Sequence, residues 1–266
     1  MLKHYASSPA LLIGVVALVF LYLVFPLVVV VPISFSAGEG LAFPPPSYSL
    51  RWYEHYVTDR AWMDATVTSL KVAALTMVMA TTAGTLAAIG LSRLDRGRGL
   101  MTGFFLSPLV VPVVVLAIAV YRFFGLLGLN GSALGLAIAH TIIATPFVVL
   151  TVSAGLARFD TQVLLASASL GARPTRTFFK VMLPLIRPSV LTGALFAFMT
   201  SFDEVVIALF VGSGPVSTLP RVMWASMRSG IDPTIAAVST LLIVLSLLVL
   251  AGSEVLRRRT ERALGG

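Results

Sequence analysis

Asp203 and Glu204 are the only charged residues between Arg187 and Arg221, in a run otherwise made of apolar, small and hydroxyl-bearing residues. Two adjacent carboxylates in such surroundings do one of two things. They make a structural ion pair or helix-end polar contact, or they offset the desolvation of a positively charged solute that passes them. An ionised carboxylate facing lipid would cost several kcal/mol, so the pair belongs against protein or water. Adjacent helical residues point about 100° apart, which lets one face a cavity while the other pairs within the bundle. His140, with Thr141 and Thr145 beside it, is the other titratable group in an apolar run, either a hydrogen-bonded packing residue or a proton relay. Chemistry of other kinds is poorly supported. His4, His55 and His140 have no metal-ligand spacing between any two of them, and there is no cysteine for a disulfide, thiolate ligand or nucleophile. No phosphate-binding Gly-x-x-x-x-Gly-Lys-Ser/Thr loop, His-Glu-x-x-His motif or Gly-x-Ser-x-Gly elbow occurs, so neither ATP hydrolysis nor another hydrolytic activity is expected of this chain.

The elements that must hold these side chains are membrane spans. Of 266 residues, 58% are apolar and 11% charged, against about 25% charged in an ordinary soluble domain. Five uncharged stretches, 5–38, 72–92, 99–121, 123–157 and 233–253, make up half the sequence. Each can cross a hydrocarbon layer of roughly 30 Å, which takes about 20 helical residues. The expected spans are Leu11–Phe35, Ala65–Leu91, Leu100–Phe124, Ala133–Ala157, Ser189–Phe210 and Thr234–Val255, an all-α integral membrane protein with six transmembrane helices. The first is too long for the apolar region of a cleavable signal and reads as retained. Asp203 stands 14 residues beyond Ser189, about 21 Å along the fifth span and so in its outer half.

The net charge of +8 would suggest nucleic acid in a soluble protein. Here it marks orientation, and no nucleic-acid partner is expected. Thirteen of the 19 basic residues fall in the N-terminus, the 92–99 loop, the 158–188 loop and the tail, which puts both termini in the cytoplasm. The outer segment 36–64 carries Pro44, Pro45 and Pro46 and then Tyr48, Trp52, Tyr53, Tyr56 and Trp62, the composition of a surface-lying interfacial helix, with an aromatic ligand platform as the alternative. Pro108 and Pro112 are expected to interrupt the third span and Pro146 the fourth, as kinks or as cavity-lining breaks.

The longest inner loop reads as a helix, a glycine break at Gly171, and a short amphipathic helix that enters at Pro174 and stops at Pro184, with Phe178, Val181 and Met182 beside Arg176 and Lys180. Such a helix suits docking into a groove on another protein, or serves as a linker. Ala166, Gly171, Ala172, Pro174, Phe178, Leu183, Pro184 and Pro188 match the cytoplasmic signature of the permease subunits of bacterial ABC importers, and the chain resembles that family over roughly residues 65–255. It departs at Leu165, where the family has Glu, and at Ser167, where the family has Ala. The run Phe196 to Ile207 with Leu219, Pro220, Met223 and Trp224 is similar to the spermidine/putrescine permease branch.

The resemblance implies a type I ABC importer permease fold in a bacterial inner membrane. It divides the chain into residues 1–64 (first span and periplasmic interfacial segment), the 65–255 core with its coupling loop 158–188, and a basic tail, 256–266. The implied partners are cytoplasmic ATP-binding subunits that hold ATP and Mg, a second and different permease subunit, a periplasmic solute-binding protein and lipid. The chain itself is expected to hold no cofactor and to catalyse nothing. The candidate solute path comprises Asp203, Glu204, Phe202, Tyr121 and Trp224; the candidate ATPase-coupling set comprises Ala166, Gly171, Ala172, Pro174, Phe178, Leu183 and Pro184. A polyamine is the expected solute. Another solute in the same family (an iron complex, a phosphonate or an opine), or an ion-coupled carrier with Asp203, Glu204 or His140 as proton sites, is the alternative.

Overall fold

A computed structural model describes residues 9–158, 162–212, 216–230 and 232–264. Lys3, His4 and the side chains of the basic tail lie outside that set. Twelve α-helices occur among the described residues: α1 (Pro9–Ser34), α2 (Arg51–Thr58), α3 (Arg60–Ser92), α4 (Arg98–Leu106), α5 (Val113–Leu127), α6 (Ala133–Ala157), α7 (Gln162–Ser169), α8 (Pro174–Thr177), α9 (Leu183–Phe202), α10 (Val206–Val211), α11 (Leu219–Ser229) and α12 (Thr234–Leu264). Leu12–Ser34, Arg60–Ser92, Ala133–Ala157 and Pro174–Phe202 are each long and apolar enough to cross a membrane, and α4 with α5 supplies a fifth candidate. The chain is a multi-pass membrane protein.

The chain divides into two units, Met1–Arg60 with Ala225–Leu250 and Ala61–Trp224 with Ala251–Gly266. In the first, the segment after α1 is held by its own aromatic residues. Ser36 and Tyr48 form an antiparallel bridge. The Tyr53 hydroxyl lies 2.7 Å from Ser34 Oγ and its ring packs on Phe35, while Trp52 Nε1 donates to the Gly38 carbonyl at 3.2 Å. Tyr53 and Trp52 thus bond to the chain around them, and in place of a helix across 36–64 stands the eight-residue α2. Trp62 belongs to α3 and is buried, because α3 starts five residues before the expected Ala65.

In the second unit α6 is the axis. Its N-terminal half packs with α5 and α10 around Leu136, Ala137, Ala139, Ile207 and Val211, and its C-terminal half with α3 and α9 around Ala80, Ala144, Val148, Val152 and Ala197. Small side chains dominate the α3, α6 and α9 contacts. In lipid, where apolar surface gains nothing by leaving the solvent, close backbone approach supplies the attraction instead.

Two of the three expectations about proline change. The expected third span is interrupted as foreseen: Pro108 lies in the short turn Ser107–Leu109 after α4, Pro112, at φ −55° and ψ 127°, precedes α5, and the two helices are bent by 93°. Pro146 interrupts nothing, and α6 runs through it. Pro184 does not stop a helix: Pro174–Phe202 is continuous, with a five-residue π turn at Phe178–Met182. Pro184 has no N–H to give the preceding turn, and the widened turn before it absorbs the missing bond.

Candidate functional site

The fifth span, expected as one helix to Phe210, is broken at the acidic pair. α9 ends where the Asp203 N–H reaches the Met199 carbonyl at 3.0 Å, and α10 begins three residues later. Glu204 causes the restart. Its Oε1 accepts the Ile207 N–H at 2.8 Å, so the carboxylate satisfies one of the orphan amides that open any helix. Ile207, Ala208 and Val211 are fully buried, and the Gly131 N–H caps the far end on the Val211 carbonyl at 2.9 Å. α10 is therefore fixed at both ends.

The two carboxylates separate in role. Glu204 is half-buried and occupied by the backbone; Asp203 is exposed, and no hydrogen bond or ion pair holds its side chain among the described residues. Phe202 is buried and stacked on Phe198 at 5.7 Å. Tyr121 on α5 and Trp224 on α11 are exposed, and neither side chain bonds to or stacks on the pair. Of the five candidate path residues, the chain brings together Phe202, Asp203 and Glu204.

His140 is tied to a partner that sequence reasoning did not single out. Its Nδ1 lies 2.8 Å from Ser201 Oγ, which in turn reaches Thr76 Oγ1 at 3.1 Å. Thr141 and Thr145 bond carbonyls of their own helix instead. Partners 61 and 125 residues apart carry no local signal in a single sequence.

The segment expected to couple to an ATPase is an elbow between α7 and α8. Arriving from α7, the Ala172 N–H reaches the Ser167 carbonyl at 3.2 Å and the Gly171 N–H that of Ala168 at 2.9 Å, with Gly171 left-handed at φ 75°. This paired closure is what ends a helix with a glycine just past its cap. Arg173 is extended before Pro174, which opens α8 at its first turn. Ser167 Oγ lies 2.8 Å from Thr177 Oγ1 and bridges the elbow, so the serine that replaces the family's alanine gains a bond there. Ala166, Ala172 and Gly171 line an open groove with Val163, Leu170 and Arg176. Leu165 and Leu170 are bare, 62% and 88% exposed, as is Phe179; Phe178 packs inward on the α3, α6 and α9 core.

A Cβ at Gly171 would meet nothing within 4 Å, so a substitution there is felt through backbone conformation alone. A β-branched residue in left-handed geometry costs about 1–2 kcal/mol, whereas asparagine tolerates it. Gly171→Val is expected to open the elbow and lower co-purification of an ATPase subunit by about fivefold or more, and Gly171→Asn to preserve it. Pull-down from detergent extracts reads the difference, and equal recovery of both variants would detach the turn from docking.

Residues 80–262 match the family described as binding-protein-dependent transport system inner membrane component. The chain belongs to that family. Among its relatives, the spermidine/putrescine transport system permease protein PotC of Shigella flexneri is 30% identical over 255 residues, 95% of this chain and 96% of that protein. The putrescine transport system permease protein PotI of Escherichia coli (strain K12) is 34% identical over 240 residues, 87% of this chain and 85% of that protein. A chain from a crystal structure of a bacterial ABC transporter involved in the import of the acidic polysaccharide alginate superposes with a TM-score of 0.74 at 16% identity, covering 92% of this chain and 94% of that one. The fold is that of an ABC importer permease.

Proposed function

We propose that this chain is the permease subunit of an ATP-driven importer whose solute is a polyamine-like cation, and that Asp203 meets the solute in the path. The observation that carries this reading is the exposed Asp203 carboxylate, without a counter-ion among the described residues, at a helix break inside an apolar span. A protonated amine supplies the missing charge, and each offsets part of the other's desolvation. The names of the PotC and PotI relatives support the same class of solute.

The proposed arrangement has six spans, α1, α3, the bent α4 and α5 pair, α6, the α8 to α10 stretch, and α12, with both termini cytoplasmic in a bacterial inner membrane. The α7 and α8 elbow in the 158–188 loop docks on a cytoplasmic ATPase that binds ATP and Mg. A second, different permease subunit completes the path, and a periplasmic binding protein delivers the solute. The family's description as binding-protein-dependent supports the last of these partners.

Reconstitution of the complete importer in proteoliposomes tests the reading. ATP-dependent accumulation of labelled putrescine or spermidine, stimulated by the external binding protein, is the expected result. Accumulation driven by a proton gradient without ATP, or of an oxyanion in preference to the amines, would overturn it.

A further inference from the structure

Three side chains on three spans form a hydrogen-bond circuit that closes on the helix where it starts. His140 on α6 lies 2.8 Å from Ser201 Oγ on α9, Ser201 Oγ 3.1 Å from Thr76 Oγ1 on α3, and Thr76 Oγ1 3.2 Å from the carbonyl of Ala137, one turn before His140 on α6. All three side chains are buried. Counting hydrogens gives the circuit a direction. A carbonyl only accepts, so Thr76 donates its one hydrogen to Ala137 and must accept from Ser201; Ser201, its hydrogen also used, must accept from His140. Nδ1 of His140 therefore carries a hydrogen. Its Nε2 is left buried with no partner among the described residues, a penalty that an apolar residue packed in the same place would avoid.

The location says what that penalty maintains. Ser201 stands two residues before Asp203, in the last turn of α9. On the other side of Asp203, Glu204 is fixed to the Ile207 N–H. The unpartnered carboxylate thus sits between two polar anchors. The other contacts of α9 with α3 and α6 are apolar, among them Ala80, Ala144, Val148 and Ala197. Apolar contact is non-directional, whereas a hydrogen-bond chain in which every hydrogen is assigned holds Ser201 to one partner on each side.

We infer that the His140, Ser201 and Thr76 circuit is a positioning device: it sets the height and facing of Asp203 in the path. The inference rests on the proposed role of Asp203, and its test is independent of the solute. The chain has no cysteine, so Asp203→Cys supplies a single thiol in this subunit. Its rate of modification by a charged, membrane-impermeant thiosulfonate, in the assembled importer with its other subunits free of reactive cysteine, reads where position 203 stands. Thr76→Val, nearly isosteric but without the hydroxyl, and Ser201→Ala are each expected to change that rate by about threefold or more. Thr76→Ser and His140→Asn, which retain a donor where the circuit needs one, are expected to stay within about 1.5-fold. Unchanged rates in both Thr76→Val and Ser201→Ala would overturn the inference. So would an equal change in Thr76→Ser, which would make packing the cause. Polyamine uptake by Asp203→Asn is measured separately: if uptake survives that variant, the cation path fails, while a labelling shift still upholds the circuit.

Discussion

Asp203→Asn is expected to lower polyamine uptake by the assembled importer by about ten- to a hundredfold at limiting solute, and Glu204→Gln to leave it within about twofold. The difference follows from what each carboxylate touches. The Asp203 side chain is exposed and bonds to nothing among the described residues, so its charge is available to the solute; a charge-assisted hydrogen bond is worth about 1.5–3 kcal/mol, and each 1.4 kcal/mol is a factor of about ten. Glu204 holds the Ile207 N–H through Oε1 at 2.8 Å, and the glutamine carbonyl still accepts that bond, more weakly for want of the charge. Glu204→Ala removes the acceptor and is expected to cost about 1 kcal/mol of stability, the usual loss when a helix start is uncapped. Parallel assays of labelled putrescine uptake and of ATP hydrolysis by the same preparations separate the two effects. Full uptake by Asp203→Asn at limiting putrescine would remove the carboxylate from the path.

What the sequence made legible, and what it hid, have separate physical origins. Charge is excluded from hydrocarbon so strongly that the uncharged runs mark most of the spans; α6 coincides with the expected Ala133–Ala157, and α3 ends within one residue of the expected Leu91. Span ends are another matter, because lipid sets a minimum length and no maximum. α3 begins at Arg60 and so carries charge at its start, and Pro174–Phe202, which includes the π turn, is longer than the hydrocarbon thickness requires. Within the candidate site, the acidic pair and the glycine turn could be read because each is local: adjacent carboxylates in one case, a glycine ahead of an Arg-Pro pair in the other. The helix break at 203–205 could not. Val205, Val206 and Ile207 are good span residues, and nothing in apolarity reveals that the Glu204 side chain takes an amide and restarts the helix. Nor could Ser201 and Thr76 be distinguished from the many hydroxyls that bond their own helix, as Thr141, Thr145 and Thr151 do.

The same dependence on distant partners governs the largest packing effect expected. α6 is clasped from two sides by glycines. A Cβ at Gly193 on α9 would stand 2.7 Å from Thr151 Oγ1 and 3.2 Å from Val148 Cα, and one at Gly84 on α3 would stand 2.6 Å from Val148 Cβ. Both separations are impossible without displacement, but what must move differs. At Gly193 the nearest obstacle is a hydroxyl whose removal leaves only a tight contact; at Gly84 it is a β-carbon that every residue except glycine possesses. Gly193→Ala is therefore expected to cost about 1–3 kcal/mol through overpacking, a fall in the thermal midpoint of roughly 2–10 °C for a chain of this size. Thr151→Ala in the same chain should recover most of that loss. Gly84→Ala should cost at least as much, about 1–3 kcal/mol, and Thr151→Ala should not relieve it, because the two alanines then act on different contacts and their effects add. The thermal midpoints of the six purified chains (parent, three single variants and two doubles) decide the matter. Rescue of Gly84→Ala by Thr151→Ala, or its absence for Gly193→Ala, would mean that α6 yields as a body and is not gripped at two separate points.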